Sequence, residues 1–327
     1  MPGTFDLSVP QLYQYPGCNP RPADFDAYWA AALAELDATI PDVELRENRE
    51  LGTAAAECFD LWFTGVGGAR VHAKYLRPRR HAGRCPAIVE FHGYTWSSGD
   101  WTSKLAYVAE GFCVASLDCR GQAGESQDNG SVTGNTVRGH VIRGLEDADP
   151  RKLYYRQVFL DAARLARIVL DRPEVDPTGV GTTGWSQGGA LALACAALEP
   201  RVSRVVSVYP FLCDYRRVWE LDLAREAYGE LRDYFRWRDP RHAREAEIFL
   251  KLGYIDIQHL ASRIRADVLM LTGLADTICP PSTQFAVYNK ITAPKHVELF
   301  PDFGHEALPG GGDLVFNHLM GLRPTPT

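Results

Sequence analysis

The feature that most constrains how this chain can fold is an alternation of short apolar runs with helical stretches, which begins near residue 86. The helical stretches cover residues 153–171 and 188–198. The apolar runs cover residues 87–91, 112–117, 179–184, 204–209, 268–272 and 296–300. Short apolar strands that alternate with helices are typical of a mostly parallel, twisted sheet with helices on both faces. The pattern therefore predicts an α/β fold.

The segment before this alternation differs in character. Residues 1–22 are rich in Pro and Gly and favour an extended arm, and residues 24–37 have helical spacing with Asp24 as the N-cap. Strand-like alternation follows in residues 43–49, 57–64 and 69–76, with a glycine-rich turn at 65–68 that predicts a hairpin. Because 327 residues suffice for one large domain, we expect a single domain over 1–327, with residues 1–50 as an N-terminal arm and helix.

A charged segment, residues 211–262, interrupts the alternation of strands and helices. Residues 211–265 contain ten Arg and one Lys against ten Asp or Glu, a balance that favours a solvated helical cap over the C-terminal edge of the sheet. The whole chain has a net charge of −6, which argues against nucleic-acid binding. The most apolar window, residues 188–198, is far shorter than the ~20 residues that span a bilayer, so no membrane partner is expected.

The eight cysteines form no CxxC pair, and several lie in apolar runs. A chain of this length needs no disulfides to fold, so we expect reduced thiols. Residues 1–15 have neither the basic start nor the apolar segment of a signal peptide, and we expect a cytoplasmic protein.

The strongest chemical signal is Gly184-Trp185-Ser186-Gln187-Gly188, which matches the G-x-S-x-G nucleophile elbow. A short strand precedes it and a helix of small residues follows it, as the elbow requires. Both Gly184 and Gly188 are needed because the tight turn leaves no room for a Cβ beside the neighbouring strand and helix. The alternative is a structural serine in a strand-to-helix turn.

An elbow serine needs a histidine base and an orienting acid, which follow it in the order Asp then His. Asp276 follows the predicted strand 268–272, and His305 follows the strand 296–300. Both therefore lie where strands end at the edge from which Ser186 emerges. The hydroxyl is barely ionised at neutral pH, so His305 would take its proton while Asp276 holds the imidazole. The competing histidine is His92, whose alternative role is loop packing.

The charge that develops on the ester oxygen needs an oxyanion hole. One donor is expected to be the N–H of Gln187, the residue after the nucleophile. We expect the second to be the N–H of Tyr94, on the loop after an early strand, where Gly93 would allow close approach; a glycine turn without a catalytic role is the alternative. Four bulky side chains are expected to bind the substrate: Tyr94, Phe211, Ile278 and Cys279. Together with Trp96, on the same loop as Tyr94, they are expected to bound the acyl group. Core packing is the alternative for Ile278 and Cys279.

Rival motifs carry little weight. The string 179–184 spells G-x-G-x-x-G, but its glycines lie inside the predicted strand instead of opening a helix, so a dinucleotide site is rejected. The chain has no P-loop, no HExxH and no clustered His/Cys set. We therefore predict no cofactor and no metal.

The chain resembles the acetyl xylan esterase and cephalosporin C deacetylase family, carbohydrate esterase family 7. The resemblance rests on Arg120-Gly121-Gln122, Gly184-Trp185-Ser186-Gln187-Gly188 and His305-Glu306, together with the acid loop 273–283. It covers nearly the whole chain. It implies an α/β-hydrolase fold, the triad Ser186, Asp276 and His305, and motif roles for Arg120, Gly121 and Gln122, for which bracing a loop is favoured.

The resemblance also implies removal of acetyl groups from small acetylated sugars and cephalosporins, in a cytoplasmic, ring-shaped homohexamer. Three alternatives stay open: a broader carboxylesterase, a hydrolase of the prolyl-oligopeptidase type, and a non-catalytic binding protein of the same fold. About 80 residues before the first parallel strand cannot build the propeller that prolyl oligopeptidases carry. A non-catalytic protein would be expected to have lost a triad member, whereas all three are present.

Overall fold

The structure is a computed structural model that describes residues 5–81, 83–134 and 139–323. Its described strands form one nine-stranded sheet in the order β1-β2-β3-β5-β4-β6-β7-β8-β9. The strands are β1 Glu44–Asn48, β2 Ala56–Thr64, β3 Arg70–Pro78, β4 Cys85–Phe91, β5 Cys113–Leu117, β6 Val175–Trp185, β7 Arg204–Val208, β8 Asp267–Gly273 and β9 Lys295–Phe300. The first three strands and the β3–β5 pair are antiparallel, and the remaining pairs are parallel. The predicted mostly parallel sheet is confirmed.

The helices cover both faces of this sheet, as predicted. They are α1 Val9–Leu12, α2 Phe25–Ala38, α3 Leu105–Ala109, α4 Tyr154–Leu170, α5 Gln187–Leu198, α6 Tyr215–Glu220, α7 Gly229–Arg238, α8 Glu245–Leu252, α9 Ile257–Leu260, α10 Pro281–Tyr288 and α11 Gly311–Met320. Helices α4, α5 and α10 pack on one face, and α3 and α11 pack on the other. None of the helices in the described ranges is long and apolar enough to cross a membrane.

The hairpin of β2 and β3 forms as the sequence predicts. Its turn runs through the 3₁₀ helix Val66–Gly68, where Gly67 and Gly68 have φ of 76° and 80°. Glycine adopts this left-handed conformation without the steric cost of a Cβ, which is why the glycine-rich stretch turns here.

Strand β6 begins earlier than predicted. The apolar run predicted a strand over residues 179–184, but the strand starts at Val175, which pairs with Cys85. The pairing then shifts register before Val180, and the Thr178 N–H donates to Asp176 Oδ1 at 2.9 Å. The first residues of β6 are therefore irregular, and regular pairing with β4 begins at Val180. The G-x-G-x-x-G string lies inside β6 and opens no helix.

The N-terminal arm packs on its own chain. Within residues 5–22 it has no regular secondary structure apart from the short helix α1. The N–H of Asn19 donates to Asp214 Oδ1 at 2.7 Å, and the Tyr15 hydroxyl donates to Asp214 Oδ2 at 2.9 Å. Helix α2 forms as predicted, but Asp24 caps it by position only, without a side-chain capping bond. The Asp24 carboxylate accepts instead from the Tyr254 hydroxyl, at 2.5 Å.

The charged insertion is helical, as predicted. Helices α6 to α9 lie in the chain between β7 and β8, and the insertion contributes Glu226, Ala227 and Glu230 to a cavity at the C-terminal edge of the sheet. All eight cysteines lie in described ranges, and none of them forms a disulfide.

Candidate active site

Ser186 lies in the sharp turn between β6 and α5. Its backbone has φ 57° and ψ −117°, a strained conformation for a residue with a Cβ. The Ser186 N–H donates to the carbonyl of Val208 at 2.9 Å, and the Ser186 carbonyl accepts from the N–H groups of Ala190 and Phe211 at 3.1 and 3.0 Å. These bonds hold the strained turn and fix the serine beside the cavity.

The two elbow glycines have the steric role that the sequence predicted. A Cβ on Gly184 would lie 2.3 Å from the carbonyl carbon of Gly188. A Cβ on Gly188 would lie 2.0 Å from the carbonyl oxygen of Phe91. Both distances are far inside van der Waals contact, so no other residue fits without moving the backbone.

Asp276 and His305 are brought together by the ends of β8 and β9. The His305 Nδ1 lies 2.8 Å from Asp276 Oδ2. The other carboxylate oxygen of Asp276 accepts from the N–H groups of Ile278 and Cys279, at 2.9 and 2.8 Å. Asp276 is fully buried, and the His305 side chain is 17% exposed. A fixed, buried carboxylate of this kind can orient the imidazole and stabilise its protonated form.

A cavity of about 830 Å³ joins these groups. Ser186 and His305 both line it, together with Tyr94 and Tyr209. The ring of Tyr209 lies 4.4 Å from the His305 ring, centroid to centroid. The structure therefore places the predicted nucleophile and base at one solvent-connected site, with the predicted acid behind the base.

The two predicted oxyanion donors have unused N–H groups. Within the described part of the chain, neither the Tyr94 N–H nor the Gln187 N–H donates a hydrogen bond to protein. Gln187 is the first residue of α5, whose N-terminus carries partial positive charge. A Cβ on Gly93 would meet only the carbonyl oxygen of Trp185, at 4.0 Å, so packing against the protein does not require glycine at this position.

Gln122 connects the two elements that carry the predicted oxyanion donors. Its Oε1 accepts from the N–H of Thr95, at 2.8 Å, and its Nε2 donates to Gln187 Oε1, also at 2.8 Å. The Tyr155 hydroxyl donates to the same Gln187 oxygen at 2.8 Å. Gln122 thus ties the loop after β4 to the start of α5.

Arg120 braces the loop after β5 from inside the protein. It forms two hydrogen bonds of 2.6 Å to Asp161 on α4, and both side chains are buried. Next to it, Gly121 has φ 68°, and a Cβ there would lie 2.8 Å from Asp128 Cβ. These contacts agree with the bracing role favoured for the motif.

The predicted substrate-binding side chains divide into three groups. Tyr94 and Ile278 line the cavity. Phe211 does not: it is fully buried behind Tyr94, with ring centroids 5.6 Å apart, so its assignment to the acyl wall is corrected to core packing. Cys279 is fully buried, and burial raises the pKa of its thiol well above the usual range, although a hydrogen bond with the Ser186 side chain acts in the opposite direction.

One cluster of metal-type donors lies at this site. Asp276, Cys279 and His305 each offer a ligand atom within 4.8 Å of the others. The hydrogen bond between His305 and Asp276 already uses two of these groups, as a catalytic triad would. That the protein works without a metal stays a prediction.

His92 has the packing role given as its alternative. Its Nε2 accepts from the N–H of Cys119 at 3.0 Å, and its Nδ1 lies 2.7 Å from the carbonyl oxygen of Gly93. Burial lowers the pKa of His92, which favours the neutral ring. Both ring nitrogens are therefore occupied away from Ser186.

Trp96, which was expected near the acyl group, lines the cavity, whereas four further cavity residues were not predicted as site residues: Trp185, Tyr209, Glu226 and Glu230. Trp185 and Tyr209 flank predicted strand ends, so the rule that groups active-site residues at such ends would have found them. Glu226 and Glu230 belong to the cap, and their position depends on how the cap packs, for which the sequence has no local signal.

Comparison with known proteins identifies a family over nearly the whole chain. A family model described as Acetyl xylan esterase (AXE1) matches residues 2–321. The curated acetyl esterase Axe7A of Xylanibacter ruminicola is 29% identical over 322 residues, which cover 92% of this chain and 70% of that protein.

Two solved structures are similar along nearly the whole chain. Acetyl xylan esterase 1 from Thermoanaerobacterium sp. JW/SL YS485 has a TM-score of 0.95 and 55% identity, and the match covers 98% of this chain and 100% of that one. An acetyl xylan esterase from Paenibacillus sp. R4 has a TM-score of 0.92 and 33% identity, with 96% and 99% covered.

Proposed function

The chain belongs to the acetyl xylan esterase family, carbohydrate esterase family 7, and on that premise we propose that it removes acetyl groups from small acetylated carbohydrates such as xylo-oligosaccharides, and from cephalosporin-type acetate esters. It is a carboxylic ester hydrolase with the α/β-hydrolase fold. The observation that carries the proposed chemistry is the hydrogen bond of 2.8 Å between His305 and buried Asp276, at the cavity that Ser186 lines.

In the first half of the reaction, the Ser186 hydroxyl attacks the acetyl carbonyl carbon. His305 takes the hydroxyl proton on Nε2. Asp276 holds the ring through Nδ1, which leaves Nε2 available for this transfer. The tetrahedral intermediate collapses, the alcohol oxygen receives the proton from His305, and the acetyl group stays on Ser186.

In the second half, water attacks the acetyl-enzyme. His305 takes a proton from the water and returns it to the Ser186 oxygen, which releases acetate. In both halves the carbonyl oxygen becomes negatively charged. The N–H groups of Tyr94 and Gln187 would stabilise it, and the support is that neither donates to a protein group in the described part of the chain. Loss of one such donor typically costs about 3 kcal/mol of transition-state stabilisation.

The test is Ser186→Ala, with Ser262→Ala as a matched control at an exposed serine. Because triad members act as a unit, Ser186→Ala is expected to lower kcat for acetyl ester hydrolysis by about 10⁴-fold or more, with an unchanged circular dichroism spectrum. Mass spectrometry after an organophosphonate should detect the adduct on wild type and on the control but not on Ser186→Ala. A tenth of wild-type activity remaining in Ser186→Ala would reject the assignment.

We also propose a cytoplasmic homohexamer. The support is the family resemblance alone, because the N-terminal arm, which could have packed against a neighbour, lies on its own chain. Light scattering at micromolar concentration tests the assembly, and the mass of a single chain would reject it.

A further inference from the structure

The cavity at Ser186 is much larger than an acetyl group requires. Its volume of about 830 Å³ lies in the range that holds whole drug-sized ligands. The acetyl group occupies only the part beside Ser186 and the N–H groups of Tyr94 and Gln187. The remaining volume is available to the alcohol part of the ester.

Trp96 lies at the mouth of this cavity with its side chain largely in solvent. The residue is 71% exposed and follows β4 on the same loop as Tyr94. Within the described ranges, no aromatic or cationic side chain packs on its indole. A large exposed ring beside a reactive serine offers a flat apolar surface, which suits the C–H face of a sugar ring.

Glu226 lines the same cavity from the cap. It opens the 3₁₀ helix Glu226–Tyr228 with a φ of 45°, which is unusual for a residue with a Cβ. Its side chain is exposed, and in the described part of the chain it forms no hydrogen bond or ion pair. Both carboxylate oxygens are therefore free to accept hydrogen bonds from a ligand.

Glu230, the other carboxylate of the cavity wall, is already engaged. One of its oxygens accepts from the Tyr94 hydroxyl, and the other accepts from the N–H groups of Val141 and Ile142, at 2.6 and 3.3 Å. Of the two cap carboxylates, Glu226 is the one that can bind a substrate hydroxyl.

We propose that Trp96 and Glu226 form a sugar subsite for the alcohol part of the ester. The indole packs on the C–H face of a pyranose ring, and the Glu226 carboxylate accepts hydrogen bonds from its hydroxyl groups. This inference rests on the proposed function, because it assigns the sugar side of the same site.

The experiment compares two acetate esters on Trp96→Ala, Glu226→Gln and wild type. Acetylated xylotriose can reach the subsite, whereas the alcohol of ethyl acetate is too small to do so. Each variant is expected to lose about tenfold in kcat/KM for acetylated xylotriose, mainly through KM, since a hydrogen bond to a charged group or an aromatic contact has about this effect. With ethyl acetate, each should stay within about twofold of wild type.

Trp237→Ala is the matched control, because Trp237 is 63% exposed and does not line the cavity. It should leave both substrates unaffected. Equal losses on both esters, or no loss on the sugar ester, would overturn the subsite while leaving acetyl ester hydrolysis intact. A change in the mass of Trp96→Ala by light scattering would likewise overturn it, by showing that the indole belongs to a contact between copies. Failure of the wild type to hydrolyse either ester would reject the proposed function itself.

Discussion

Glu230 joins the cap to the loop that carries Tyr94, and its titration should be visible in the stability of the protein. The residue is 3% exposed, and its carboxylate accepts from the Tyr94 hydroxyl and from two backbone N–H groups. Burial raises its pKa to about 7, against the opposing effect of these hydrogen bonds.

The sign of the effect follows from the raised pKa. In the unfolded chain Glu230 loses its proton near pH 4.5, whereas in the folded protein it keeps the proton up to about pH 7. Between these values the folded state binds more protons, so the free energy of unfolding falls as the pH rises. The difference between the two pKa values corresponds to a loss of about 3 kcal/mol in the free energy of unfolding. This loss is absent below pH 4.5 and complete above pH 7.

Glu230→Gln removes this titration while keeping the size of the side chain. At pH 5 the amide resembles the protonated acid, so the variant and wild type should differ only by a small constant. Between pH 5 and pH 8 the wild type should therefore lose about 2–3 kcal/mol more of its free energy of unfolding than the variant does. Urea unfolding of both proteins from pH 5 to pH 8 measures this difference.

The comparison with wild type is essential because a second buried acid, Asp256, also has a pKa raised to about 7, mainly by burial. Its titration makes the free energy of unfolding fall with rising pH in both proteins. Glu50→Gln, at an exposed position, is the control and should run parallel to wild type. If the curve for Glu230→Gln is also parallel to wild type across this range, the assignment of the titration to Glu230 is refuted.

The remaining predictions concern the acyl pocket and two buried positions. Because Ile278 bounds the cavity beside Ser186, kcat/KM should fall at least ~10-fold from p-nitrophenyl acetate to the butyrate; equal or rising values would indicate an open acyl groove. Arg120→Ala leaves the Asp161 carboxylate buried and unpaired, so urea unfolding should show a loss of about 3–5 kcal/mol, and a loss under 1 kcal/mol would contradict this. Gly188→Ala forces a Cβ against a backbone carbonyl and should abolish soluble expression or activity, whereas a fully active protein would contradict the elbow geometry.

The sequence predicted the sheet and the positions of the candidate triad because both depend on local signals. Apolar runs identify the strands, and the C-terminal ends of neighbouring parallel strands meet at one edge. Ser186, Asp276 and His305 each follow such a strand, so their meeting needs only the order of β6, β8 and β9 in the sheet. No packing detail enters that inference.

The errors arose where the position of a side chain depends on packing between distant segments. Phe211 follows a strand end, as a wall residue should, but its ring turns inward to lie 4.2 Å from the Tyr228 ring of the cap. An extended arm can pack on a neighbouring subunit, but here buried Asp214 of the cap requires donors, and Asn19 and Tyr15 supply them. A buried carboxylate without partners would be costly, so the cap and the arm stabilise each other.

The fold gives a physical reason for the Arg120-Gly121-Gln122 motif, which the sequence presented only as a pattern. The two proposed oxyanion donors come from separate elements, the loop after β4 and the first residue of α5, and the spacing between them decides how well both reach one oxygen. Gln122, on the loop after β5, accepts from the N–H of Thr95, the residue after Tyr94, and donates to the side chain of Gln187. It therefore fixes the spacing between the two donors. Arg120 anchors that element to α4 through Asp161. If the proposed oxyanion hole is correct, the motif acts by positioning its two donors.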